Sequence, residues 1–287
     1  MTHEDLSNMI KLGYSVWKKD VSRIEELTSE FIEQGLDHVE IDIDSLLDLD
    51  DNTWIMRFKD VFSSYNISIG VHAPWREIHL ASPLDDIREA SEKIIIKILE
   101  ILDKLDIDYD YIIIHPSSEQ PICSENSIKC IESLKRSVEN IRRYTDNIVV
   151  ESIQGRCCGK LDHIEILIDL VSDTKICLDL AHIYVEYKKL KNYKNLADVL
   201  NIVSEKILRK TFLIHLHGVY HENSKDKVHR DFDHTPLGEE DLFLKISGLN
   251  NVRYLVFEVF YNRSGRDSKP SDIEKEIKRL RELLRHL

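Results

Sequence analysis

Glycine and proline are scarce, with 9 and 6 residues in a chain of 287. They form no linker, and no low-complexity segment interrupts the chain, so composition marks no domain boundary. No apolar run approaches the about 18 residues that a membrane-spanning helix requires. The opening "MTHEDLSNMIKLGY" has no basic region followed by an apolar one, so the expectation is a cytoplasmic chain without a secretory leader. The five cysteines, Cys123, Cys130, Cys157, Cys158 and Cys177, are odd in number and lack C-x-x-C spacing. That pattern fits reduced thiols and excludes a disulfide framework or a zinc knuckle. The adjacent pair in "QGRCCGK" reads either as a redox site or as a loop with two small residues. Cations are in deficit, 39 Lys and Arg against 52 Asp and Glu, for a net charge of −13. Such a surface repels polyanions and argues against nucleic acid as a partner. The Tyr/Lys-rich "YVEYKKLKNYKN" (184–195) reads as a solvated face. Also missing are a G-x-G-x-x-G turn, a P-loop, a G-x-S-x-G elbow and an H-E-x-x-H pair.

What is present is a rhythm. Eight short apolar runs recur: "IKLGYSVW" (10–17), "HVEIDID" (38–44), "ISIGVHAPW" (67–75), "YIIIHPS" (111–117), "NIVVES" (147–152), "KICLDLAH" (175–182), "FLIHLHGV" (212–219) and "YLVFEVF" (254–260). They are rich in Val, Ile and Leu on both faces, as strands of a covered parallel sheet must be. Amphipathic segments lie between them. In "VSRIEELTSEFIEQGL", Ile24, Leu27, Phe31, Ile32 and Leu36 fall near helical spacing. The alternation predicts an α/β fold, a single (β/α)8 TIM barrel spanning residues 1–287, with its chemistry at the C-terminal strand ends.

The strand ends are unusual. The third run carries His72, the fourth His115 and the fifth Glu151; the sixth carries Asp179 and His182, the seventh His215 and His217, and the eighth Glu258. Glu40 and Asp42 lie in the second. Carboxylates among large apolar side chains cost several kcal/mol unless paired or bound to metal. No strand end from the third run to the eighth supplies Lys or Arg as a neutralising partner. A divalent cation explains the convergence, and His/carboxylate sites suit Zn²⁺, Mn²⁺ or Fe²⁺. Alternation in "IHLH" places His215 and His217 on one face, toward the barrel interior. Of the imidazoles in the loop after strand seven, His221 and His229 read as part of a charged, solvated surface.

In this order, "VHAPW", "IIHPS", "VVES", "DLAH", "IHLH" and "FEVF" resemble the xylose isomerase-like TIM barrels, and among these the endonuclease IV, or AP endonuclease family 2, branch. The resemblance spans essentially the whole chain. It implies a cluster of two or three divalent ions. His72, His115 and Glu151 would hold the first, and Glu151 would bridge to a second held by Asp179, His215 and Glu258. His182 would share a third with His234 and Asp231 or Asp233. The branch pattern D-x-H is broken here by "DFDH", and "HLHG" stands where DNA-cleaving members carry Asn and Asp after the His. "HLHGV", "DHTPL" and "CLDLAH" are more similar to the cobamide-remodelling phosphodiesterases of the superfamily.

The leading expectation is a metal-dependent phosphodiesterase acting on a small phosphodiester, the nucleotide loop of a cobamide being the candidate. Glu151, His182 and Glu258 are its expected catalytic residues, and His217, Arg76 and Arg156 its expected substrate contacts. His217 also reads as an orienter of a metal ligand. The alternative is a single-metal sugar isomerase or epimerase in which Glu151 and Glu258 exchange protons α to a carbonyl. A third reading is a barrel that binds a metal or corrinoid without turnover. AP endonuclease activity ranks below these.

Overall fold

A computed structural model describes residues 10–117, 123–153 and 158–285. All eight expected strands form: β1 Lys11–Trp17, β2 His38–Asp42, β3 Ser68–His72, β4 Ile112–Ile114, β5 Ile148–Ser152, β6 Lys175–Asp179, β7 Thr211–Leu216 and, after a hairpin, β10 Tyr254–Phe257. They close into a barrel in the order β1-β10-β7-β6-β5-β4-β3-β2. Neighbouring strands run parallel, with Val256 opposite His215 between β10 and β7, and Ile113 opposite Val149 between β4 and β5. The strands are buried almost throughout, which is why they read as unbroken apolar runs rather than as alternating ones.

Among the described residues the helices run in chain order: α1 Ile24–Gln34, α2 Thr53–Ser64, α3 Asp85–Lys104, α4 Cys123–Ile141, α5 Leu161–Leu170, α6 Leu180–Tyr187, α7 Glu205–Leu208, α8 Glu239–Ile246 and α9 Glu274–Leu284. The segment "NLADVLNIVSEKILRK", helical by its apolar spacing, is broken in two. Asn195 and Asp198 form a capping box on the 3-10 turn Leu196–Asn201, and Ser204 caps a fresh start at α7. Side chains that hydrogen-bond backbone amides thus override the periodicity. Among the described residues no helix is long and apolar enough to cross a membrane.

The chain divides into two compact units. The first is Met1–Ser15 with Arg23–Val39 and Leu178–Leu287, and the second is Val16–Ser22 with Glu40–Cys177. Three of the four divisions fall inside β1, β2 and β6, and the fourth falls between Ser22 and Arg23. In the second unit, α2 lines up Trp54, Phe58 and Phe62 at intervals of one turn, with ring centroids 5.9 and 5.8 Å apart. A buried polar cluster joins α3 to α4. Arg88 pairs with Glu92, whose carboxylate also accepts from Ser137 at 2.7 Å and Asn140 at 3.0 Å.

In the first unit, the sequence between β7 and α8 is a hairpin, not the irregular loop its composition suggests. β8 (Gly218–Glu222) and β9 (Lys225–Arg230) pair antiparallel around Asn223 and Ser224, both with positive φ (51° and 62°). That is the backbone a two-residue primed turn demands. Gly218 is required by the close approach of the chain that follows β9: a Cβ there would lie 1.8 Å from the Asp231 carbonyl oxygen.

Candidate metal centre

The second unit gathers three side chains from the ends of β3, β4 and β5. His72, His115 and Glu151 are all buried. His115 Nε2 lies 2.7 Å from Glu151 Oε2, His72 Nε2 lies 3.1 Å from the same oxygen, and the two nitrogens are 3.2 Å apart. His72 Nδ1 faces acceptors, the Ala73 carbonyl at 3.0 Å and Asp42 Oδ1 at 3.7 Å. Its Nδ1 therefore carries a proton, and Nε2 is the atom turned to Glu151 and His115. A ring held by a backbone carbonyl on one nitrogen and aimed with the other is how ligating histidines are oriented. Burial alone would push the His72 imidazole down. The hydrogen bond with Glu151 and the charges of Asp42, Glu151 and Glu40 outweigh it and hold the pKa up, at about 10. The pocket thus favours positive charge strongly, and two imidazole nitrogens with one carboxylate oxygen suit a divalent ion. Glu40, also buried, accepts from Tyr111 at 2.9 Å.

The first unit gathers Asp179 from the end of β6, His215 from β7 and Glu258 just after β10. All are buried, and their ligand atoms lie within 4.8 Å of one another. His215 Nδ1 is 3.3 Å from Glu258 Oε2 and 4.0 Å from Asp179 Oδ2. Asp179 also caps α6: its Oδ1 accepts the His182 amide at 2.7 Å. The alternation of "IHLH" is realised, since His217 reaches the same carboxylate, Nε2 to Asp179 Oδ2 at 2.9 Å.

A third gathering departs from expectation. His182 meets His217 and His229, with ring centroids 5.7 Å from each, and not His234. The His234 ring lies on Tyr220 at 3.8 Å, and Asp231 accepts the Tyr220 hydroxyl. Burial, then the hydrogen bond with Asp231, pushes that phenol pKa upward, so the proton stays on Tyr220. Asp233 is exposed and pairs with Arg263 at 3.3 Å. Among the described residues neither Asp231 nor His234 enters a group able to hold a cation. His229, read from sequence as solvated surface, lies beside His182 and His217 instead. Its Nδ1 lies 3.4 Å from Glu258 Oε2, and its ring stacks on Phe260 at 4.8 Å. The family resemblance implied His234; the hairpin, which puts β9 beside β8, brings in His229 instead.

Of the expected substrate contacts, Arg76 is exposed, 3.8 Å from Asp44 and 5.1 Å from the Trp75 ring. Trp75 in turn stacks against His115 at 6.3 Å. Arg156 and Cys157 lie outside the described residues. Cys158 is fully buried, and burial pushes its thiol well up, so it is a core side chain with little thiolate.

No curated protein matches the sequence. Solved structures do match over nearly the whole chain. D-allulose 3-epimerase from Methylomonas sp. shares 14% identity at a TM-score of 0.66, covering 97% of this chain and 98% of the other. Endonuclease IV from Thermus thermophilus shares 16% at 0.59, covering 96% and 100%. The TTHB071 protein from the same organism, solved after soaking with ZnCl2, shares 16% at 0.62, covering 96% and 98%. At these identities the likeness is one of fold. The profile of the family described as "Xylose isomerase-like TIM barrel" matches residues 30–283. That match spans most of the chain and agrees with its closed barrel, and this chain belongs to the family.

Proposed function

We propose that this chain is a divalent-metal-dependent hydrolase of phosphodiesters. The observation that carries the reading is the His72–His115–Glu151 group, a two-imidazole, one-carboxylate donor set complete without Asp179, His215 or Glu258. His72, His115 and Glu151 would hold a divalent ion, which would supply neutralisation of phosphate oxygens and a water of lowered pKa. The chain's own residues do the rest. Glu151 and Glu258 hold their oxygens in buried positions where they need no reorganisation. His182 is partly exposed beside Asp179 and is placed to protonate a leaving oxygen. Arg76 and Trp75 form a cation–aromatic pair next to His115, suited to an anionic group entering there. The motifs "HLHGV", "DHTPL" and "CLDLAH" make the nucleotide loop of a cobamide the first substrate to test, and the net charge of −13 weighs against nucleic acid.

The second reading is a single-metal ketose epimerase using Glu151 and Glu258. It is favoured by the recurrence of sugar 3-epimerases among the solved relatives, which backs it better than phosphodiester hydrolysis is backed. The deciding experiment is turnover of purified, metal-loaded protein on two panels, phosphodiesters including a complete cobamide, and ketohexoses and ketopentoses. Hydrolysis of a phosphodiester with no ketose interconversion is the expected result. Epimerised ketose with every phosphodiester intact would establish the second reading and end the first.

A further inference from the structure

The group His182, His217 and His229 has the look of a three-imidazole metal site. The hydrogen bonds around His217 say otherwise. The backbone N–H of His229 donates to His217 Nδ1 at 3.0 Å. A ring nitrogen that accepts an N–H has no proton of its own, so the ring's proton is on Nε2. That nitrogen faces Asp179 Oδ2 at 2.9 Å. The Gly218 carbonyl, 3.4 Å from Nδ1, is the weaker contact on that side. A protonated Nε2 cannot also ligate a metal.

The His229 amide reaches His217 because of a backbone irregularity. The β8–β9 register slips between Gly218 and Tyr220, so that two steps along β8 are matched by three along β9. The residue at the slip, His229, has φ of 56°, in the left-handed region a non-glycine residue rarely enters. A bulge with a left-handed residue takes an amide out of the ladder and re-aims it, and bulges of this kind concentrate beside functional sites.

We propose that His217 is a positioning residue and not a metal ligand: its Nε2–H orients the Asp179 carboxylate, and the bulged backbone amide of His229 fixes that tautomer. Asp179 is thereby held at both oxygens, by His217 on Oδ2 and by the His182 amide on Oδ1. A carboxylate oxygen has two lone pairs, so each can accept its hydrogen bond and still meet a cation. The proposal rests on reading Asp179, His215 and Glu258 as cation ligands.

The test pairs a spectroscopic readout with a binding one. Long-range ¹H–¹⁵N correlation on histidine-labelled protein should show His217 protonated at Nε2 and bare at Nδ1, in metal-free and Zn²⁺-loaded protein alike. His229→Ala keeps the amide and should keep that tautomer. In Zn²⁺ titrations, His217→Ala should weaken binding at the Asp179 group roughly ten- to hundredfold without removing a whole equivalent. His217→Gln, whose side-chain amide can still donate, should recover most of the loss. A proton on Nδ1, a Zn²⁺-ligated Nε2, unchanged affinity in His217→Ala, or loss of one full equivalent in that variant would each overturn the proposal. If Asp179→Asn left Zn²⁺ binding untouched, the ligand reading itself would fail, while the tautomer in metal-free protein would still decide the role of His217.

Discussion

Replacing His115 with alanine is expected to strip one equivalent of divalent metal from the protein and to lower phosphodiester turnover about a hundredfold or more. His115 Nε2 lies 2.7 Å from Glu151 Oε2, closer than His72 Nε2 at 3.1 Å, and it completes the triangle with His72. Without it the pocket keeps one imidazole and one carboxylate, too few to hold an ion against water. The metal-free fold should also weaken. Glu151 is buried and loses a partner, and breaking a buried pair costs about 3 kcal/mol. Circular dichroism and chemical denaturation separate a folded, metal-poor variant from an unfolded one. Elemental analysis after dialysis gives the count. A folded His115→Ala with full metal content and full activity would remove this group from the function.

Metal affinity should climb by about tenfold per pH unit well above neutrality. His72 is held up to about 10 by Glu151, Asp42 and Glu40 against the opposing effect of burial. A cation at Nε2 must displace a proton, so below about pH 10 binding releases about one proton, and raising the pH favours the ion. An ordinary histidine, with a pKa of about 6.5, would give a curve that flattens near neutrality. The sign for stability is opposite. In the metal-free protein a raised pKa adds stability that is complete below about pH 6.5 and is lost as pH rises through about 10. Mn²⁺ titrations at several pH values, with proton release followed in weak buffer, check the first half. A plateau from about pH 7 upward would contradict it.

The strands were legible because a covered parallel barrel makes each one a dense Val, Ile and Leu run, and because polar residues inside such runs stand out. His72, His115, Glu151, Asp179, His215 and Glu258 could be found that way: each ends a run that has no room for an unpaired charge. The pairing of His217 with the same carboxylate as His215 followed from strand alternation. Three features were hidden. The β8–β9 hairpin turns on Asn223 and Ser224, which lack the glycine that usually announces a primed turn. His229 enters the site through one left-handed bulge residue, and no periodicity encodes a bulge. The family resemblance points to Asp231 and His234, but Tyr220 engages both, and that contact depends on the hairpin. Asp42 carries the same signal, a buried acid at a strand end, and its Oδ1 lies 3.7 Å from His72 Nδ1.

The most direct test of the account is the number of divalent ions per chain in the parent protein, His72→Ala and His115→Ala, each assayed in parallel on a phosphodiester substrate. At least two equivalents are expected in the parent, one fewer in each variant, and hydrolysis lost with the missing ion. A single equivalent in the parent, with metal content and activity unchanged in both variants, would contradict it.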